Sequence, residues 1–285
     1  MNSKFFSTKE IAPHTTAIIG LGNELCYLVE GKTKALLIDT LIGVGNLRSF
    51  CRELTDLPIN LVNTHGHVDH TGGNFDFDEC YIHPHDIPLI YEPESLRIGY
   101  VKNAIKKSGK DIVILESDFT VAVPMKTLPV YDGFVFDLGE RTIEVIAVPG
   151  HTAGTIVLLD RGTRIVFSGD ACNVNTLLFL PHATSIETYS ESLIHLKKFQ
   201  PFFDYMWGGH SLRAVPKSII DEALELCGDI IAGTDDAVES EYLGRPCLYG
   251  KKKDADFRRL DGKMANIAYS KDKIHKRLSD EGKPQ

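Results

Sequence analysis

Three imidazoles and a carboxylate fall within six consecutive residues, His65-Gly66-His67-Val68-Asp69-His70. Imidazole nitrogen and carboxylate oxygen are the ordinary ligands of zinc and its first-row neighbours, and few other physical reasons crowd them so tightly. Residues 59–63, just before the run, are apolar and β-branched enough to form a buried strand. The run is therefore expected at the carboxyl end of a strand, where loops build sites.

The remainder of the composition narrows the alternatives. A chain of 285 residues fits one large domain or two small ones and can bury a sizeable core. Its net charge of −8 argues against nucleic acid as the main partner, because phosphate binding needs a basic face. Residues 1–7 lack the apolar core of a signal peptide, and no apolar run is long enough to span a membrane. Six cysteines (Cys26, Cys51, Cys80, Cys172, Cys227 and Cys247) are scattered singly. They read as reduced thiols, mostly core filler, in a cytoplasmic protein.

Strand patterns at residues 16–20, 25–29 and 35–39 predict an opening antiparallel meander. A helix is expected over 45–54, then the strand at 59–63 and a short one at 80–83. Residues 86–107 read as helical, with Pro88 and Pro93 limiting where helices can start. Strand character is expected at 111–115 and again at Val130. The segment 86–130 is read as a lid or a peripheral insertion, and its Lys102, Lys106, Lys107 and Lys110 as a solvated basic face. Strands return at 142–148, 155–160, 164–168 and 203–207, with helices at 185–199 and 216–227, the latter closed by Gly228. The tail from residue 251 is charged, but 265–269 is apolar enough to dock. Strand-rich halves with outer helices fit two sheets flanked by helices.

The run from His65 to His70 resembles the His-x-His-x-Asp-His signature of the metallo-β-lactamase superfamily of hydrolases. The resemblance implies an α/β, four-layer αββα sandwich, taken as one domain over residues 1–285, and a di-metal site completed farther along the chain. Three residues share one context of apolar strand, glycine and donor: His151 after Val148-Pro149-Gly150, Asp170 after Phe167-Ser168-Gly169, and His210 after Trp207-Gly208-Gly209. By the resemblance, His65, His67 and His151 hold the first metal. Asp69, His70 and His210 hold the second, and Asp170 bridges them. The implied cofactors are two divalent ions, zinc by default, with iron and manganese also fitting. Asp39, at the end of Leu36-Leu37-Ile38, is similar to an aspartate that supports the site in this family.

The resemblance further implies metal-assisted hydrolysis, in which a hydroxide shared by the metals attacks a carbonyl carbon of an ester, thioester or lactone. Asp69 is the catalytic residue expected to accept or relay a proton. Residues 65–74 and 149–155 resemble glyoxalase II and lactonase members. No glutathione-recognition set is evident, however, and residues 171–174 carry no tyrosine of the kind lactonases place after the bridging aspartate. Asn173 stands there as a polar donor or a loop residue, and His182 as a residue that faces substrate or the loop. His14, His83, His85, His195 and His275 read as structural or exposed. A small-molecule substrate is expected, without nucleic acid or membrane, and a homodimer stays open. The alternatives are a phosphodiesterase on the same site, di-iron redox chemistry, or a metal-holding sensor protein.

Overall fold

The apolar runs of the amino-terminal half become strands in a computed structural model, which describes residues 3–91, 94–108, 112–242 and 244–277. β1 (Ser7–Ala12), β2 (Thr15–Ile19), β3 (Leu25–Glu30), β4 (Ala35–Ile38), β5 (Ile59–Val62), β6 (Glu79–Ile82) and β7 (Lys126–Pro129) form a first sheet in chain order. Pairing is antiparallel through β4 and parallel from β4 to β7, so β4 and β5 end on the same edge. Residues 35–38 are buried throughout, as an unbroken Ala-Leu-Leu-Ile run demands of a strand covered on both faces.

The second half supplies β8 (Val135–Asp137), β9 (Thr142–Ala147), β10 (Ile156–Asp160), β11 (Ile165–Gly169), β12 (Asn175–Leu177), β13 (Tyr205–Gly208), β14 (Val215–Pro216), β15 (Val238–Tyr242), β16 (Arg245–Tyr249) and β17 (Asn266–Tyr269). The second sheet runs β14-β13-β11-β10-β9-β8, and a smaller third one runs β12-β17-β16-β15. β9 and β11 are both antiparallel to β10, and β13 is parallel to β11. The carboxyl ends of β9, β11 and β13 therefore share one edge.

Four layers result. Tyr27, Ile38 and Val62 of the first sheet interdigitate with Val145, Leu158 and Phe167 of the second. On the outer face of the first sheet, α1 (Leu47–Leu54) buries Leu47, Phe50 and Cys51, and its start is capped by Asn46, whose side chain accepts from the Ser49 amide. Short α2 (Val68–Thr71) and longer α3 (Glu94–Ser108) follow. On the outer face of the second sheet, α4 (Ile186–Lys197) and α5 (Ile219–Ala232) bury Tyr189, Leu193, Leu196, Ile220 and Leu226. The expected αββα sandwich is the observed one.

Some elements differ from expectation. The last helix runs past Gly228 and stops at Gly233, which takes φ +68. Its apolar face continues to Ile230, so burial carries it through one glycine. Residues 112–115 form no strand; the chain reaches the sheet edge later, as β7. The helical reading of 86–107 resolves into a 3₁₀ segment Pro84–Tyr91 that contains Pro88, and then α3. The apolar stretch 265–269 docks as β17, paired parallel to β12. No described helix is long and apolar enough to cross a membrane.

Candidate metal centre

His65 follows β5, His151 follows β9, Asp170 follows β11 and His210 follows β13. These are strand ends that share an edge within each sheet, and the face-to-face packing of the sheets brings the two edges together. His67 lies at the amino end of α2, which carries Asp69 and His70. All seven residues converge. Donor atoms of His65, His67 and His151 lie within 4.8 Å of one another, as do those of His65, His70 and Asp170, and those of Asp69, His70 and His210. Asp170 stands between the groups: its Oδ2 is 3.6 Å from His151 Nε2 and 3.2 Å from His210 Nε2.

Close approach depends on two glycines. A side chain on Gly209 would place its Cβ 2.3 Å from the His70 ring. Gly169 takes φ +47, and a Cβ there would stand 2.3 Å from Thr64 Oγ1.

Outer partners fix the ring orientations. His151 Nδ1 donates to the Leu177 carbonyl at 2.9 Å, and His70 Nδ1 donates to Asp39 Oδ2 at 2.8 Å. Each leaves its Nε2 facing the cluster. Asp39 also accepts from the Thr64 amide at 2.7 Å and the Thr64 hydroxyl at 2.8 Å, and it adopts φ +65. A left-handed non-glycine residue of this kind is strain held in place by its surroundings. Asn173 Nδ2 donates to Asp170 Oδ1 at 3.2 Å, which gives that residue a supporting role.

Asp86 carries no sequence signal, yet it ties the two halves of the chain together. The Gly66 amide donates to its Oδ2 at 2.7 Å and the Thr152 hydroxyl at 2.6 Å, while the Gly154 amide donates to Oδ1 at 2.9 Å. It thereby locks the His65–His67 turn against the His151 turn. His182 is exposed, with its ring centre 6.1 Å from that of His67. His83 is buried and His85 packs against it at 4.9 Å, away from the donor set. Lys102 and Lys106 are exposed on α3; the side chain of Lys107, and Lys110 altogether, lie outside the described residues.

The donor set fits a divalent cation. His65 Nε2 is buried without a hydrogen-bond partner, and such an orphan costs about 1–3 kcal/mol that a bound cation would remove. His67 Nδ1 and His151 Nε2 stand 2.9 Å apart. Electrostatics divide the set. Burial, followed by repulsion from neighbouring imidazoles, keeps His65 well below the usual histidine range and brings His67 down to about 3. Burial also lowers His151. It disfavours the His70 cation too, but Asp39 and Asp69 outweigh it and lift His70 to about 10. Withdrawal from water is likewise outweighed at His210 by Asp170 and Asp69, which lift it to about 9.

The two halves should therefore take up a cation with different pH dependence. His65, His67 and His151 are neutral at pH 7 and lose no proton on binding. His70 and His210, lifted to about 10 and about 9, must each release one, so affinity there rises with pH most steeply below about 9 and goes on rising to about 10. Zinc titrations at pH 6.5 and 8.5 should show one equivalent unchanged and the other strengthened by about tenfold per pH unit for each proton released. Two equivalents with the same pH response would contradict this assignment.

Fold and donor set define the class: a layered αββα protein whose sheet edges carry a metal-competent histidine and aspartate cluster. The sequence model of the Metallo-beta-lactamase superfamily matches residues 19–202, and the chain belongs to that family. The human protein named acyl-coenzyme A thioesterase MBLAC2 is 31% identical over 177 residues, a match covering 55% of this chain and 61% of that protein. Its Gallus gallus counterpart is 27% identical over 168 residues with the same coverage. The chain thus matches less than two thirds of these relatives' length. Among solved structures, a metallo-beta-lactamase from Pontibacter korlensis superposes with TM-score 0.51 at 17% identity, covering 77% of this chain and 97% of its own. A beta-lactamase domain protein from Burkholderia ambifaria gives 0.53 at 17% identity, covering 79% of this chain and 74% of its own.

Proposed function

We propose that the protein is a metal-dependent hydrolase of activated carbonyl compounds, with thioesters the first substrate class and esters and lactones next. The observation that carries this reading is the position of the Asp170 carboxylate between the His65–His67–His151 and Asp69–His70–His210 groups. In it, all seven donors hold two divalent ions, zinc foremost. Bound there, the ions supply Lewis acidity, which acidifies a water and polarises a carbonyl. The name of the human relative supports the choice of a thioester.

The chain's own groups do the rest. Burial pushes the Asp69 carboxyl upward, but His70 and His210 more than compensate and hold it below the usual carboxylate range. It is therefore ionised at neutral pH and able to take a proton from an attacking water and pass it to the leaving group. Exposed His182, beside His67, stands where contact with substrate is expected. The six cysteines are all buried and unpaired, which supports a reducing compartment, and we assign the protein to the cytoplasm on that ground.

The test is turnover of acyl-coenzyme A thioesters, lactones, aryl esters and bis-aryl phosphodiesters by zinc-loaded protein against a His67→Ala control. Thioester hydrolysis lost in the control by at least about 100-fold is the expected result, beyond the 10–100-fold that outer-shell changes cost. Turnover confined to the phosphodiester would replace this reading with the phosphodiesterase one. Two bound zinc ions without any turnover would favour a metal-holding sensor.

A further inference from the structure

The loop between β12 and α4 carries His182 beside the donor set. Both its ends are tied to the turn that holds His151: the Leu177 carbonyl accepts from His151 Nδ1 at 2.9 Å, and the Thr184 amide donates to the Gly150 carbonyl at 2.8 Å. Between these ties the Ala183 amide donates to the Leu180 carbonyl at 3.0 Å, which closes a turn over Leu180-Pro181-His182-Ala183. Proline presets the first central position of such a turn, and His182 takes the second. The His182 ring is exposed, with its centre 6.1 Å from that of His67. A second segment braces this turn. β17 pairs parallel to β12 and is followed by a 3₁₀ turn, Lys271–Lys273. The Lys273 ammonium donates to the carbonyls of Leu180, of Pro181 at 3.0 Å and of Ala183 at 2.7 Å. An ammonium has three donors, and this one turn takes all three. The residues that follow are seated on the first turn of α4. There the Glu187 amide donates to the Ile274 carbonyl at 3.2 Å, and the Glu187 carboxylate accepts from the Lys276 amide at 2.7 Å and contacts His275 Nδ1 at 2.9 Å.

We propose that Lys273 is a positioning residue: by gathering the carbonyls on either side of His182 it holds that imidazole at the mouth of the site, where His182 contacts the substrate beside the scissile carbonyl. This rests on the reading of the site as a hydrolase of activated carbonyl compounds. An imidazole offers a ring N–H to an oxygen of the substrate. A turn braced at three carbonyls presents that group already ordered, and so avoids the entropy loss that a loose loop incurs on binding. The ammonium grips the loop rather than the seven donors. Its loss should therefore appear in substrate binding and leave metal binding intact.

The experiment compares zinc-loaded wild type, Lys273→Met, His182→Ala and the double variant on the best substrate of the panel. Zinc content and the His182 imidazole resonances in nuclear magnetic resonance are read beside the kinetics and need no turnover. Methionine keeps most of the apolar stem and removes the ammonium. Lys273→Met should retain its zinc, raise KM by about tenfold with kcat changed by less than about threefold, and move the His182 resonances toward those of free histidine. His182→Ala, a change at an exposed side chain that leaves the fold intact, should raise KM at least as much. The double variant should go no further, because the lysine acts through that imidazole. Wild-type KM in either single variant would overturn the proposal, as would losses that add in the double variant, or a fall in kcat and zinc content at unchanged KM. Unmoved His182 resonances in Lys273→Met would overturn the brace itself. A wild type that turns over no member of the panel would instead overturn the hydrolase reading, and with it the substrate contact. The resonances then decide the brace alone, so the two failures are distinguishable.

Discussion

Asp170→Asn is expected to lower hydrolytic turnover by at least about 100-fold and to leave fewer than two zinc ions per chain. The substitution keeps the shape of the side chain and removes its charge. That charge sits 3.6 Å from His151 Nε2, 3.8 Å from His70 Nε2 and 3.2 Å from His210 Nε2. No other donor among the described residues approaches histidines of both groups so closely through a single oxygen. Burial opposes ionisation of Asp170, yet His210, through charge and hydrogen bond, and then His70 and His151 hold its carboxyl well below the usual range. It is therefore a carboxylate at any pH where the protein would work. Two dications held close together repel strongly, and a shared anion is what offsets that repulsion; a neutral amide does not. The measurement is zinc content by mass spectrometry beside kcat on the best substrate of the panel. A loss that stays within the 10–100-fold of an outer-shell residue, with two zinc ions retained, would make Asp170 a supporting group rather than a shared ligand.

The donor residues were legible because each is announced locally. His65, His151, Asp170 and His210 all follow an apolar strand, and a glycine immediately precedes all of these but His65. A strand end plus a turn is a pattern that neighbouring residues alone can write. Asp39 was legible for the same reason. Asp86 was not. It acts on Gly154, 68 residues away, from a 3₁₀ segment with no regular apolar spacing. The layered core could be read as strands and helices, but the third sheet could not. β12 has three residues, and its partner β17 comes some ninety positions later. Pairing of that kind is decided by tertiary contact rather than by local propensity. The misplaced end of α5 has a similar origin. Gly228 and Gly233 both look like stops, and only the burial of Ile230 chooses between them.

Asp86→Ala is expected to destabilise the protein by about 3 kcal/mol and to weaken one zinc equivalent selectively. The side chain is almost wholly buried and receives three donors, the Gly66 and Gly154 amides and the Thr152 hydroxyl. Each buried donor left without a partner costs about 1–3 kcal/mol, although Thr152 can turn its hydroxyl to Thr155, 2.7 Å away. Part of the cost is recovered. Burial outweighs the hydrogen bonds and raises the Asp86 carboxyl above its usual value, so charging it in the fold carries a penalty that alanine removes. The net figure should therefore lie below the sum of three orphaned donors. At roughly 2–4 °C per kcal/mol for a chain of this size, the midpoint of thermal unfolding should fall by about 6–12 °C. The same loss frees the His65–His67 turn from the His151 turn and leaves the His70–Asp39 contact in place. Metal affinity should then fall in the His65–His67–His151 half, the equivalent whose binding is insensitive to pH. A lower melting temperature with both zinc affinities intact would show that Asp86 holds the fold without positioning the histidines.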